Sequence, residues 1–339
     1  MAKIKLGLTA GDPGGIGARI IAKLLAARDL YRYCEPFIFG PEEHILSYLK
    51  KENVRIRVIY VNDKICLKSV YGSAWLVPGK TSSKRKIRKG KITKGNGQLA
   101  IQYLQDALEY CRQKRIDGIV TGPVSKEAVA KSLKNFSGHT EFLQKATKCK
   151  HVVMFFSSPL LKVGLLTRHV PLSKVPKLIK GSDITKALNL MDTNSKLFGI
   201  KKARIAVCGL NPHAGENGLL GSEDKKIVAP AVKRAQKQGI RASGPWSADT
   251  VFTRTLKGDF DMVLALYHDQ GLAPFKAIAF EDGVQTTLGL PFVRTSPDHG
   301  PAFDKTDSAY VSVKSFSNAV QLASLMIKRR KKNPKSKHG

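Results

Sequence analysis

The sequence predicts an α/β protein built on a largely parallel sheet. Two observations support this class: short apolar, β-branched runs alternate with helical patterns along the chain, and 42% of the 339 residues are hydrophobic. Alternation of this kind is typical of βαβ units. The length is sufficient for one large or two medium domains, each with its own hydrophobic core.

The predicted elements follow one another in strand and helix pairs. The first half contains IKLGLTA with IGARIIAKLLAARDL, FIFG with PEEHILSYLKK, and DGIVTGP with SKEAVAKSL. Residues 78–97 have no apolar periodicity, which predicts a long surface loop before the helix QLAIQYLQDALEYCRQK. The second half continues with the strands HVVMFF and KVGLLT, the helix SDITKALNLMDTNSKLF, the strand RIAVCGLN and the helix SEDKKIVAPAVKRAQKQG.

The composition favours a cytoplasmic protein without a membrane partner. No apolar run reaches the roughly 20 residues of a membrane span, and the amino terminus leads directly into a predicted strand rather than a signal sequence. The five cysteines are odd in number and include no CxxC pair. Disulfides and cysteine metal sites are therefore not expected.

The net charge of +32 is high and partly local. Residues 84–94 and the tail 328–339 each carry seven Lys or Arg and no acidic residue. Such segments can bind nucleic acid, but no zinc-finger spacing or RNP-like aromatic motif accompanies them, so a solvated loop and a disordered tail are favoured. A positive field would favour a small anionic substrate such as a phosphorylated one.

Three histidines suggest a metal site. His169, His213 and His268 each follow a short apolar run: LKVGLLTRH, RIAVCGLNPH and MVLALYH. If these runs are parallel strands, the imidazoles emerge at the carboxyl ends of one sheet, where such sheets bind ligands. Each histidine alone would more often be structural. Together they suit a shared divalent metal (zinc, cobalt, manganese or, more weakly, magnesium) with positions open for substrate.

Other motifs lie at predicted strand and helix junctions. GDPGGIG, residues 11–17, lacks the Rossmann glycine order, so a tight turn and a phosphate loop explain it equally well. SGHTEFL places His139 and Thr140 at a predicted helix start, where N–H groups favour an anion. Near the end, Lys276 and Arg294 could hold a phosphate or carboxylate, although loop Lys and Arg usually face solvent.

The ordered combination GDPGGIG, GHTEF, TRHVPL, NPHAGE, ADT, YHDQGL and TLGLPF resembles the 4-hydroxythreonine-4-phosphate dehydrogenase family, over about Lys5 to Asp304. The resemblance implies two α/β/α domains around a cleft, as in isocitrate and isopropylmalate dehydrogenases. By that analogy, residues 1–125 with 275–327 form a discontinuous cofactor-side domain, 126–274 form the metal, substrate and dimer domain, and 328–339 form a basic disordered tail.

The resemblance also implies a reaction. NAD or NADP would oxidise 4-phosphooxy-L-threonine, with a divalent metal, to 2-amino-3-oxo-4-phosphooxybutanoate. Loss of CO2 then gives 3-amino-2-oxopropyl phosphate for pyridoxine 5′-phosphate biosynthesis. The enzyme would be a homodimer with its active site at the subunit interface.

The resemblance assigns residues as well. His169, His213 and His268 match the metal ligands, which in the family come from both subunits. The positions that match substrate contacts are His139, Thr140, Lys276, Gln285 and Arg294. Asp249 of the ADT motif is a candidate for proton transfer or for support of the metal ligands. No cofactor-binding residue is assigned.

The chain departs from the family pattern at several positions. Ala18 and Arg19 stand where the family usually has Pro-Glu, which we interpret as surface drift. Gln285 replaces an expected Asn and is one methylene longer. After Gly300 the chain has Pro301 and no glycine between Phe303 and Val313, a change expected to affect cofactor affinity or the choice between NAD and NADP.

Three functions therefore stay open. The first is the dehydrogenase described above. The second keeps the chemistry but acts on a related sugar acid, threonate or erythronate 4-phosphate, as Gln285 allows. The third is a redox-inactive homologue that binds polyanions through the basic segments, although binding of nucleic acid is not favoured. A metal-dependent hydrolase would explain the histidines but not the other motifs.

Overall fold

The computed structural model describes residues 3–61, 72–79, 86–134, 136–306, 308 and 310–332. The strands are β1 (Lys5–Thr9), β2 (Glu35–Phe39), β3 (Arg57–Tyr60), β4 (Ser73–Leu76), β5 (Gly118–Thr121), β6 (Val153–Ser157), β7 (Lys162–Leu165), β8 (Ile205–Cys208), β9 (Ala242–Trp246), β10 (Met262–Ala265), β11 (Val284–Leu288) and β12 (Val293–Pro297). The helices are α1 (Gly17–Ala26), α2 (Leu30–Tyr33), α3 (Glu42–Lys51), α4 (Lys94–Arg112), α5 (Lys126–Ala130), α6 (His139–Thr147), α7 (Val175–Leu178), α8 (Gly181–Ser195), α9 (Ala229–Lys237), α10 (Ala248–Leu256), α11 (His268–Ala279) and α12 (Lys314–Lys332). In this part of the chain, no helix has the length and hydropathy needed to span a membrane.

The chain forms two compact units. The first unit comprises residues 1–142 and 292–328. Its strands lie in the order β3-β4-β2-β1-β5-β12, and each neighbouring pair is parallel. Helix α4 packs against this sheet, where Tyr103 joins a buried cluster with the stacked rings of Phe37 and Trp75. The side chain of Thr93 caps α4 by accepting a hydrogen bond from the Asn96 amide.

The second unit comprises residues 143–291 and 329–339. Its strands lie in the order β11-β6-β7-β10-β8-β9. Successive residues of β10 point to opposite faces, so Leu264 packs in a core with α8 and α9, whereas Val263 packs in a second core with α10 and α11. The sheet is therefore covered by helices on both faces, which explains the continuous apolar character of its central strands.

The α/β class predicted from the sequence is confirmed, with a local exception to parallel pairing. Strand β6 runs antiparallel to both β7 and β11. The reason is the short connection between β6 and β7, where the Ser158 amide donates to the Leu161 carbonyl over 2.9 Å. A connection this short closes a hairpin, since a parallel crossover needs a dozen or more residues.

The unit boundaries differ from those placed by analogy. The chain divides after Phe142 and after Pro291, where the sequence analysis placed divisions after residues 125 and 274. The predicted basic tail also needs correction, because α12 continues through Lys332. Met326 and Ile327 are buried, and Arg329 donates to the Leu197 carbonyl over 2.9 Å, so the helix does not end at residue 327. Residues 333–339 lie outside the described part.

Candidate active site

The three predicted metal ligands follow neighbouring parallel strands of the second unit. Strand β10 pairs with β7 on one side and with β8 on the other. His169 follows β7, His268 begins α11 directly after β10, and His213 follows β8. The prediction that each histidine follows the carboxyl end of a strand in one sheet is confirmed, and their binding of a metal stays a prediction.

A buried glutamine joins two of these strand ends. The Gln270 Oε1 atom accepts from the Leu266 amide over 2.7 Å, and its Nε2 donates to the Gly209 carbonyl over 2.6 Å. On the other side, the Thr167 hydroxyl donates to the Leu266 carbonyl over 2.7 Å. Gln270 was not among the residues predicted from the sequence. Its position two residues after His268, in the first turn of α11, was the available signal.

His169 and His268 form a pair whose geometry suits a metal. Their ring centroids lie 5.5 Å apart, with the ring planes tilted by 42°. Two imidazoles bound to one tetrahedral ion at about 2.1 Å have centroids roughly 5 Å apart, so the spacing of these two rings is compatible with a shared ion. The His268 Nδ1 lies 2.7 Å from the Asp269 carboxylate. With Nδ1 in this contact, Nε2 is the nitrogen that would bind a metal, an arrangement common for metal-bound histidine.

His213 lies in an unusual backbone segment. Its φ is 50°, and the following residues through Asn217 also have positive φ. His169 likewise has a positive φ of 46°. Such conformations are uncommon for residues with a Cβ and are concentrated at functional sites.

Asp249 lies near enough to His213 for the histidine to influence its carboxyl group. The pKa of Asp249 is lowered, chiefly by a 2.6 Å hydrogen bond from the Ser247 hydroxyl and to a smaller degree by the charge of His213. In the described residues of this single chain, no group of three or more His, Cys, Asp or Glu side chains is gathered closely enough to hold a metal. The complete metal site therefore remains a prediction.

A second group of predicted residues lies in the first unit. Arg294 on β12 is 1% exposed, and its Nε and Nη2 atoms donate to the Thr121 hydroxyl over 3.1 and 2.6 Å. Burial lowers the pKa of Arg294 to about 9, partly opposed by the charge of Glu141. The guanidinium is therefore charged at neutral pH and suited to an anionic ligand.

His139 and Thr140 begin helix α6 in the same unit, as predicted. Thr140 is buried, and the Nε2 atom of His139 is buried with no hydrogen-bond partner among the described residues. The pKa of His139 is well below its usual value because of desolvation and the charges of Arg294 and Lys126. The structure thus brings His139, Thr140 and Arg294 into one region and leaves a neutral imidazole with a buried, unsatisfied nitrogen.

The glycine-rich loop at residues 11–17 contributes another buried polar group. Asp12 Oδ1 accepts from the Gly14 amide over 2.9 Å, whereas its buried Oδ2 has no partner in the described chain. Burial raises the pKa of this carboxyl to about 6. A Cβ at Gly17 would lie only 1.9 Å from the Ala10 carbonyl, so close backbone packing is sufficient to explain that glycine.

Lys276 and Gln285 lie in the second unit. Both are half-buried, Lys276 on α11 and Gln285 on β11 opposite Phe156 of β6. Lys276 shares its helix with His268, so one element carries a predicted metal ligand and a predicted substrate contact.

Arg19 does not fit its interpretation as surface drift. The side chain is buried, donates to Glu52 over 2.7 Å and donates to the Ser308 carbonyl over 2.5 Å. The Ile16 amide also donates to the Pro301 carbonyl over 3.0 Å. The altered segment after Gly300 is thus tied to the glycine-rich loop and to α1, and the interpretation from sequence was wrong because it had no information on burial.

Comparison with known proteins identifies the family of the chain. Residues 32–323 match the family described as pyridoxal phosphate biosynthetic protein PdxA. A 4-hydroxythreonine-4-phosphate dehydrogenase from Desulforapulum autotrophicum is 37% identical over 94% of both chains. A protein from Oceanobacillus iheyensis named putative D-threonate 4-phosphate dehydrogenase is also 37% identical, over 94% of this chain and 96% of its own.

A solved structure extends the likeness to three dimensions. The 4-hydroxythreonine-4-phosphate dehydrogenase from Klebsiella pneumoniae superposes with a TM-score of 0.84 at 32% identity, covering 96% of this chain and 100% of that one. The fold and these relatives therefore define a dehydrogenase of the α/β class. The chain belongs to the PdxA family, which confirms the resemblance found in the sequence.

Proposed function

We propose that this protein oxidises 4-phosphooxy-L-threonine with NAD or NADP and a divalent metal. The product, 2-amino-3-oxo-4-phosphooxybutanoate, loses CO2 to give 3-amino-2-oxopropyl phosphate. The observation that carries the proposal is the placement of three histidines after neighbouring parallel strands in a PdxA-family chain. Oxidation transfers a hydride from the substrate carbinol carbon to the nicotinamide, while the hydroxyl proton leaves separately.

The proposed metal ligands are His169, His213 and His268. When bound there, a divalent metal would act as a Lewis acid toward the substrate oxygens. The Asp269 contact orients His268, and Gln270 fixes the strand ends from which His213 and His268 follow. Asp249, kept as a carboxylate by Ser247, would accept a proton or support His213.

Arg294, His139 and Thr140 are the proposed anion-binding residues of the first unit. A buried guanidinium is well suited to a phosphate or carboxylate because it offers several N–H donors in fixed geometry. The buried Nε2 of His139 has hydrogen-bonding capacity that a substrate could satisfy. Lys276 and Gln285, which belong to the second unit, are separately proposed as substrate contacts.

We also propose a homodimer with the active site at the subunit interface. Leu172 is 67% exposed and Leu219 is 84% exposed, and they lie close in sequence to His169 and His213 respectively. Large exposed apolar side chains beside predicted ligands are typical of an interaction surface. A second copy would cover these leucines and could complete a metal site that one chain leaves incomplete.

Oxidation of D-threonate 4-phosphate is the second candidate. A relative with that name is as similar to this chain as one named for 4-hydroxythreonine 4-phosphate, and Gln285 alters the reach of a predicted substrate contact. The two substrates share a phosphate and a carboxylate and differ in the amino group. The contacts around that group therefore decide between them.

The test is NAD(P)H formation, followed by ultraviolet absorbance, with each substrate and each cofactor. Metal-loaded protein is compared with chelated protein and with His213→Ala. We expect turnover that is lost in both controls and is faster with 4-phosphooxy-L-threonine. Faster turnover of D-threonate 4-phosphate would establish the second candidate. Folded, metal-loaded protein that is inactive with both substrates would contradict both proposals.

A further inference from the structure

The loop that carries His213 has a rare backbone conformation. Residues 213–217 all have positive φ, with values of 50°, 53°, 82°, 43° and 57°. Only Gly215 lacks a Cβ in this left-handed turn. Because each residue with a Cβ costs roughly 1–2 kcal/mol in this conformation, the turn requires support from surrounding structure.

A buried carboxylate binds the backbone directly before this turn. Asp224 is 1% exposed and begins a short π-helical turn, Asp224–Val228. Its Oδ1 accepts from the Leu210 amide over 2.7 Å. Its Oδ2 accepts from the Asn211 amide over 3.0 Å and from the Asn211 side-chain Nδ2 over 3.1 Å. All three donors lie on Leu210 and Asn211, which directly precede Pro212 and His213.

The turn is closely fitted around this carboxylate. A Cβ at Gly215 would lie 3.3 Å from Asp224 Oδ2, and a Cβ at Gly209 would lie 3.3 Å from Oδ1. The Gly209 Cβ would also lie 2.7 Å from the Ala214 Cα. Asp224 is thus hydrogen-bonded to Leu210 and Asn211 after β8 and lies directly beside Gly215 of the left-handed turn.

We propose that Asp224 is a positioning residue that holds the left-handed turn and thereby places the His213 imidazole for metal binding. This inference rests on the proposed metal site. The requirement is for a carboxylate, because both oxygens accept from N–H groups. An amide of the same shape would turn its own NH2 toward one of these donors, which leaves buried groups unsatisfied.

The chain offers a matched control in Asp261. This carboxylate accepts from the Arg204 amide over 2.7 Å and from its Nε and Nη2 over 3.1 and 2.9 Å. Arg204 and Asp261 directly precede β8 and β10, whereas His213 and His268 follow the same two strands. Asp261→Asn therefore disturbs a comparable set of three hydrogen bonds at the end of the strands away from the histidines.

The experiment measures cobalt(II) binding to the full-length protein and its Asp224→Asn and Asp261→Asn variants. Visible absorption reports the ligand field of the bound ion. We expect Asp224→Asn to weaken cobalt binding about 10- to 100-fold and to change the spectrum, as loss of support for a ligand does. Asp261→Asn should lower the melting temperature but leave cobalt affinity and spectrum unchanged. Hydrogen exchange of residues 210–217 in metal-free protein should accelerate only in Asp224→Asn.

Two results would overturn the inference. One is unchanged cobalt affinity and unchanged exchange in folded Asp224→Asn, and the other is an equal loss of cobalt affinity in Asp261→Asn. If Asp224→Asn does not fold, Asn211→Ala takes its place, because it removes one of the three donors to Asp224. This variant should lose less cobalt affinity than Asp224→Asn would. No loss of affinity would contradict the positioning role of Asp224. A parent protein that binds no cobalt through His213 would instead refute the proposed metal site, and the exchange measurement would still show whether Asp224 holds the turn. A parent that binds cobalt but oxidises neither substrate would refute only the proposed reaction.

Discussion

At the scale of single residues, the first unit contains polar atoms that folding buries without a partner in the described chain. Asp12 Oδ2 and His139 Nε2 are both of this kind. A buried polar atom without a hydrogen bond costs free energy unless something satisfies it, so such atoms favour a ligand-binding role. Both lie in the motifs GDPGGIG and GHTEF, although only His139 was predicted from the sequence as a site residue.

Asp12→Asn should change the dependence of stability on pH. Because the pKa of Asp12 rises from 3.8 to about 6 in the folded protein, the folded state holds its proton more tightly than the unfolded state. Ionisation therefore destabilises the fold as pH rises from about 4 through 6. We expect Asp12→Asn to be more stable than the parent at pH 8, on the order of 1–3 kcal/mol, with no gain below pH 4. Chemical denaturation at several pH values measures this, and a gain independent of pH would contradict it.

Arg294→Lys should weaken substrate binding although the charge is retained. Lysine cannot reproduce the two N–H contacts with Thr121 together with a forked contact to an anion. We expect roughly 10- to 100-fold weaker binding of the phosphorylated substrate, in line with loss of charged hydrogen bonds. Calorimetric titration without cofactor is the measurement. Arg204→Lys, which changes a partly exposed ion pair with Asp261, is the control and should bind normally.

At the scale of elements, the described part of the basic segment, residues 86–94, is not an independent loop. The Gly90 amide donates to the Gly14 carbonyl over 2.8 Å, and Asn96 donates to the carbonyls of Arg88 and Lys91 over 2.8 and 2.9 Å. Its main chain is thus fixed beside the glycine-rich loop while most of its cationic side chains face solvent.

Gln270→Leu should destabilise the second unit. Leucine has a similar size, but it leaves the buried Leu266 amide and Gly209 carbonyl without their partner. We expect a decrease of about 2–4 kcal/mol in the free energy of unfolding, since each unsatisfied buried group costs about 1–3 kcal/mol. Urea denaturation provides the value. Gln113→Leu, which removes an exposed contact with Glu109, should change stability by less than about 0.5 kcal/mol.

At the scale of the whole molecule, the proposed homodimer would place the histidines of one chain beside a second copy of the chain. One chain places His169 and His268 as a pair, and leucines near the predicted ligands face solvent. The net charge of +32 opposes association between copies, so a dimer would need substantial apolar burial.

Leu219→Asp should weaken the dimer and cobalt binding together. Burial of a leucine contributes about 1.5–3 kcal/mol, and a carboxylate in its place adds a desolvation cost. We expect at least about a tenfold rise in the dimer dissociation constant, measured by analytical ultracentrifugation. Leu160 is 65% exposed in the hairpin between β6 and β7, and Leu160→Asp should leave association unchanged. A monomeric parent with full cobalt affinity would contradict the proposed interface.

The sequence by itself determined the class of fold, the family and the alternation of strands and helices along the chain. Alternating apolar runs are local patterns, and motifs such as NPHAGE and YHDQGL are contiguous, so both can be recognised without coordinates. The same patterns placed His169, His213 and His268 after strands, because a histidine that follows an apolar run needs no distant information to be located.

The tertiary structure alone decided which distant residues cooperate. It placed Arg19 against Ser308, Gln270 between two strand ends, and Asp224 beneath the turn that carries His213. It also paired β6 antiparallel with its neighbours and extended α12 beyond residue 327. These features depend on burial and on hydrogen bonds between separate segments. The sequence does not contain this information, because an Asp, Gln or Arg is the same residue in the sequence whether folding buries it or exposes it.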